Sequence, residues 1–345
     1  MKRYHYMDLL NIIATFAVVM LHGSSLAFSN QGGARWDVTV LIQVLFIFAV
    51  PIFFMLSGAN ILDYRQREST TDFFKKRLQR VVVPFVVWTT IWFIYNNIQY
   101  WHYSWSNWHT YSRLFDGIMH GNVQPIFWFF YIIIGFYLSV PLLSKIVTTD
   151  QKALVQYLLA INLIFVGLIG YYYQLRNQSD SGFSGGISVG VSGSVGLFVL
   201  GWYLKNFPLE KKYRQWLYLA GSLSVVIMIL LTFVLSHHRA MYQRQVYSIW
   251  GVFGITWSAA IFVFFQNTFG KWEPNIKVQQ LIRSLSAASL GVYVIHYFFI
   301  DTLENQYHLA SRSLWHIFVM PVAIWIITLL IVKIIRKIPY LRRTV

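Results

Sequence analysis

The stretch DLLNIIATFAVVMLHGSS, Asp8 to Ser25, decides the fold. It is apolar enough to lie in hydrocarbon, yet it carries Asp8, Asn11, Thr15 and His22. Those four fall at i, i+3, i+7 and i+14 and so share one face of a helix. At 1.5 Å per residue, His22 lies ~20 Å along from Asp8, about two-thirds of the way across a ~30 Å hydrocarbon core. Lipid cannot satisfy such a stripe, so it must face protein or a water-filled cavity. The expectation is a functional site inside a helical bundle, with His22 in it. The apolar run is longer than a signal-peptide core and no clear small-x-small cleavage site follows, so this helix is read as retained.

The rest of the chain has the same character. Of 345 residues, 57% are hydrophobic and 12% charged. That charged share is about half the figure of a soluble protein. There is no cysteine, which excludes disulfides and thiolate-ligated metal or iron–sulfur sites. Ten spans are expected, at about 6–28, 37–62, 81–100, 124–146, 153–174, 185–204, 214–236, 246–266, 286–304 and 314–335. The fold class is therefore an all-α polytopic transmembrane bundle.

The net charge of +16 raises the question of nucleic acid, but its layout answers otherwise. One side of the ten-span arrangement holds 22 of the 28 Lys and Arg residues. The other holds six arginines (Arg35, Arg113, Arg176, Arg239, Arg244 and Arg312) and no lysine. This is the positive-inside pattern, with both termini expected in the cytoplasm and no nucleic-acid partner. The lysine-free side is aromatic instead, with Trp101, Trp105 and Trp108 among His102, His109 and His120. These read as interfacial anchors or as contacts to a sugar face; no metal-ligand spacing stands out. In span six Gly182, Gly186, Gly190 and Ser194 recur every four residues, a face for close helix packing.

Several further groups are candidates for chemistry. Span nine carries Ser286, Ser289, Tyr293 and His296 at i, i+3, i+7 and i+10, a second polar stripe running outward like the first. Two such stripes suggest one shared cavity. In span two, Pro51 is expected to kink the helix, and Ser57 and Asn60 offer hydrogen bonds near its cytoplasmic end. Arg77 and Arg80, three apart before span three, project together on a helical turn and suit phosphate oxygens. Trp128, Tyr131, Tyr137 and Pro141 of span four read first as core and interface.

Together these motifs resemble the acyltransferase-3 superfamily of membrane-bound O-acyltransferases, in the form without an appended extracellular hydrolase-like domain. Asp8 and His22 fit its opening helix. FFMLSG at 53–58, Arg77-Leu-Gln-Arg80 followed by Pro84, FWFFYIIIGFYLSVPLL, and SLGVYVIH are similar to its later signatures. The resemblance runs from about residue 6 to 335 and implies one integral-membrane acyltransferase domain over 1–345. One departure is Asn11, which stands where the family carries a basic residue implicated in the donor site. Asparagine keeps hydrogen bonding and loses the charge.

The resemblance implies transfer of an acyl group, expected to be acetyl, from cytoplasmic acetyl-CoA to a hydroxyl of an extracytoplasmic or lipid-linked sugar. His22 would act as general base or transient acyl carrier. Arg77, Arg80, Asn11 and Ser57 would bind the donor, with no metal. Asp8, Thr15, Trp128, Tyr131, Ser289, Tyr293 and His296 would line the substrate cavity. The expected location is the cell membrane, with self-association left open. Two rivals stand beside it: an exporter of a polar or lipid-linked solute, and an acyl-CoA-binding sensor without turnover.

Overall fold

The computed structural model describes residues 4–29, 32–177, 193–239, 242–307 and 313–345, and the described residues contain helices and no strand. In chain order the α-helices are α1 (His5–Gly23), α2 (Ala34–Phe46), α3 (Ala49–Ile61), α4 (Thr70–Arg77), α5 (Val83–Asn96), α6 (Trp108–His120), α7 (Trp128–Ile146), α8 (Lys152–Asn162), α9 (Tyr171–Asn177), α10 (Gly193–Asn206), α11 (Lys211–Arg239), α12 (Val252–Phe269), α13 (Ile276–Ala287), α14 (Ser289–Asp301) and α15 (Met320–Ile335). Among the described residues eight helical stretches are long and apolar enough to cross a membrane, and the bent pair α13–α14 adds a ninth. The tenth expected span, 185–204, overlaps α10, whose upstream part lies outside the described residues. Gly182, Gly186 and Gly190 lie outside them too.

Prolines set the breaks. Pro51 lacks an N–H and its ring clashes with the carbonyl four residues back, at Ile47. The helix divides there, with α2 ending at Phe46 and α3 starting at Ala49. Pro84 does the same to Arg80, and a wide π-helical turn, Leu78–Val82, absorbs the misfit just before α5.

The chain forms two compact units: Met1–Leu62 with Ile146–Ile331, and Asp63–Lys145 with Val332–Val345. In the first, a core of Leu10, Ala14, Ala17, Ile52, Met55, Ala59, Phe262 and Val263 joins α1, α3 and α12. Helices α3 and α10 touch backbone to backbone. A Cβ on Gly58 would lie 1.7 Å from the Phe198 carbonyl oxygen, and one on Gly201 would lie 2.0 Å from that of Met55. Only glycine admits this approach. In the second unit, Phe85, Phe127 and Phe130 pack as mutually tilted rings, and Trp88 Nε1 donates to the Thr344 carbonyl at 2.7 Å.

The outward faces are apolar, the reverse of a soluble fold. Leu219, Leu223, Val226, Leu230 and Val234 make one exposed stripe on α11. Ile326, Ile327, Leu330 and Ile334 do the same on α15. Such surfaces are stable only against lipid.

Candidate active site

The site is built on α1, where the expected polar stripe forms. Asp8, in the first turn, is buried, and its charge suits the positive end of the helix dipole. Thr15 is buried as well, and its hydroxyl donates to the Asn11 carbonyl at 2.7 Å, so local backbone satisfies it. The helix starts at His5 and stops at Gly23, which makes His22 its penultimate residue. His22 therefore sits one residue from the end of the helix.

The two stripes meet. Asn11 Nδ2 donates to the Ser286 carbonyl at 2.9 Å, to Ser286 Oγ at 3.1 Å and to Ser289 Oγ at 3.0 Å. Those acceptors straddle Ala288, where α13 turns into α14 through 54°. The Ser286 carbonyl also takes the Ala288 N–H, and Asn11 adds a donor to it across the interface. Its two amide hydrogens are thereby committed to the bend. A basic side chain at this position would keep the donors and add a charge at a helix C-terminus, where cations are favoured.

Eleven residues further along α1, ~16 Å at helical rise, the second meeting point is formed. The His22 and His296 rings are 5.3 Å apart, and Tyr297 stands edge-on to His22 at 5.6 Å. His296 is fully buried. Its Nδ1 lies 2.8 Å from the Tyr293 carbonyl and 3.2 Å from that of Val292. A carbonyl only accepts, so Nδ1 carries the proton and Nε2 the lone pair. That Nε2 has no hydrogen-bond partner among the described residues. His22 is half-buried, and the described residues give its ring no hydrogen bond. The Tyr293 ring lies 6.2 Å from that of His296, on the same side of α14.

A family model for an acyltransferase domain matches residues 4–334. The chain belongs to the acyltransferase-3 family. No curated protein and no solved structure matches it. This acyltransferase is thus a multi-pass membrane protein with a histidine pair at the end of its first span.

The remaining expected site residues are distributed over both units. Ser57 lies half-buried on α3, one residue before the Gly58 contact. Arg77, Arg80, Trp128 and Tyr131 belong to the second unit. Arg77 and Arg80 have different surroundings. Arg77, half-buried at the end of α4, has its guanidinium carbon 5.2 Å from the Phe73 ring and 5.6 Å from the Tyr137 ring. Arg80 is exposed in the π turn that Pro84 imposes. Trp128 is exposed, whereas Tyr131 donates its hydroxyl to the Ile118 carbonyl at 2.5 Å and serves there as a tie between α6 and α7.

Three participants escaped the sequence reading. Gln43 Nε2 donates to the Leu21 carbonyl at 2.6 Å and to Ser24 Oγ at 2.7 Å, which fixes the end of α1 beside His22. Glu304 accepts from Ser25 Oγ at 2.9 Å. Its Oε1 is 3.0 Å from His316 Nε2, with the ring not aligned for a hydrogen bond. Glu304 follows His296 by eight residues and continues the second polar stripe, a signal that was present. Gln43 and His316 sit singly in apolar runs and gave none.

Proposed function

We propose that the protein transfers an acyl group, acetyl in the first instance, from acyl-CoA to a hydroxyl of a sugar that is extracytoplasmic or lipid-linked. The family supports acyl transfer in general; the donor, the acceptor and the roles of individual residues are our reading. One observation carries it: an imidazole at the end of a membrane helix, half-buried, flanked by the rings of His296 and Tyr297, with no hydrogen bond to its ring among the described residues. A general base needs a fixed position and a free lone pair.

In this reading His22 takes the proton of the acceptor hydroxyl while its oxygen attacks the thioester carbonyl carbon. The C–O bond forms, the C–S bond breaks, and the departing thiolate recovers the proton from the imidazolium. The products are the sugar ester and free CoA. His296 Nε2, which holds a lone pair in a buried setting, accepts a hydrogen bond from the bound acceptor. An unsatisfied buried acceptor costs ~1–3 kcal/mol, so a donor arriving there is favoured. Arg77 and Arg80 hold the CoA phosphates, with Arg77 preset by its aromatic neighbours. The skewed charge supports a cytoplasmic approach for the anionic donor, and the cell membrane is part of the same reading.

The test is acyl transfer by the purified protein in lipid, with labelled acetyl-CoA and a panel of glycan acceptors. His22→Ala is expected to abolish transfer while the protein keeps its thermal transition. Unchanged transfer in that variant would remove His22 from the chemistry. Solute uptake by sealed vesicles without CoA would instead establish the exporter.

A further inference from the structure

Helix α6, between two membrane spans, carries apolar side chains that no part of the second unit covers. Trp108, Tyr111, Phe115 and Met119 are 76%, 48%, 65% and 53% exposed. At 100° per residue they fall within about 80° of the helix circumference. A second face is buried: Thr110 donates to the Ser104 carbonyl at 2.7 Å, and Gly117 leaves only 2.4 Å between a would-be Cβ and Val123. The third face is polar and holds His109, Arg113, Asp116 and His120. There Arg113 stacks on Tyr103 at 4.4 Å and Asp116 pairs with His120 at 2.9 Å.

The helix is rigidly seated. Asn107 caps its start by accepting from the His109 N–H at 3.0 Å. Gly121 ends it in the left-handed region, at φ 76°, with its N–H bonded to the Gly117 carbonyl at 3.0 Å. Tyr131 of α7 holds the Ile118 carbonyl, and Asn96 of α5 donates to the Val123 carbonyl at 2.8 Å. An induced fit that later buries the stripe would have to break these ties.

We propose that α6 lies in the membrane interface, with Trp108, Tyr111, Phe115 and Met119 sunk among lipid and the His109–Asp116 face in water. Three observations select lipid as the occupant. The preceding candidate span ends at Trp101 and the next begins at Pro125, so both ends of the loop are held at the membrane surface. Exposed Ile91, Ile94 and Ile98 lead up to it on the span before, so the apolar exposure is continuous with a lipid-facing helix. The stripe itself combines Trp and Tyr with Phe and Met, the mix of amphipathic rings and apolar tips that settles at headgroup depth. Through Tyr131, the helix fixes the depth of α7.

The chain has no cysteine, so single-cysteine variants can be spin-labelled without altering the background. The probe set is Phe115→Cys and Met119→Cys on the stripe, with His109→Cys and Asp116→Cys on the polar face, in phospholipid nanodiscs. Oxygen is expected to relax the labels at 115 and 119 severalfold more than a water-soluble nickel chelate does, with the ratio inverted at 109 and 116. Equal nickel access at all four positions would overturn the proposal. So would labels at 115 and 119 that are immobilised and shielded from both reagents, the signature of a second protein copy. The readout is independent of acyl transfer, so its failure leaves the enzymatic reading untouched.

Discussion

Replacing Asn11 with leucine tests the link between the two polar stripes. The substitution keeps the volume and removes both N–H donors, leaving the Ser286 carbonyl, Ser286 Oγ and Ser289 Oγ to find other partners. The two hydroxyls can rotate to nearby carbonyls, and the Ser286 carbonyl keeps the Ala288 N–H. Interhelical hydrogen bonds in bilayers average ~0.6 kcal/mol, with a maximum of ~1.7. An orphaned buried acceptor costs ~1–3 kcal/mol. With no acceptor orphaned, the two lost donors predict a loss of about 1 kcal/mol. Denaturant unfolding in mixed micelles measures it. Because the same contact sets how α14 lies on α1, Asn11→Leu should also lower kcat by loosening the His22–His296 pair, with little change in KM for acyl-CoA. Asn11→Arg, which restores donors, should recover stability. Wild-type stability in Asn11→Leu together with a large rise in KM for acyl-CoA would refute the reasoning and make Asn11 a donor-binding residue.

Other perturbations probe the remaining contacts. Gly58→Ala sets a methyl against the Phe198 carbonyl, a backbone atom that cannot move aside, and should cost about 3 kcal/mol or more, read as loss of monodisperse protein on size exclusion. Gln43→Leu strips the Leu21 carbonyl of its donor; a loss of ~1 kcal/mol in unfolding and a lower kcat are expected, since the end of α1 carries His22. Arg77→Ala should lower both thermal stability and acyl-CoA affinity because the side chain packs on two rings, whereas Arg80→Ala, at an exposed position, should lower affinity alone, as isothermal titration would resolve.

Much of the architecture was legible because a bilayer imposes harsh rules. An apolar run of some twenty residues must be a helix, and Pro51 marked an interruption by removing a defined backbone bond. The periodicities at 8–22 and 286–296 showed which faces need partners. Those runs did not reveal that Asn11 would spend its amide on a bend at Ala288, or that α1 would stop directly after His22. Both depend on how helices far apart in the chain lie against one another.

The sequence by itself therefore determined an all-helical membrane protein and its two polar faces, since both follow from local periodicity and from the cost of polar groups in lipid; its motifs carried the resemblance to the family. Only the tertiary structure decided that the faces meet, with Asn11 on the serines and His22 beside His296. It also decided that Gln43, Glu304 and His316 join them, and that Arg77 is half-buried against two rings while Arg80, in the π turn, is exposed. A one-dimensional pattern records which side chains need a partner; which partner each one finds is set by packing between segments up to 279 residues apart.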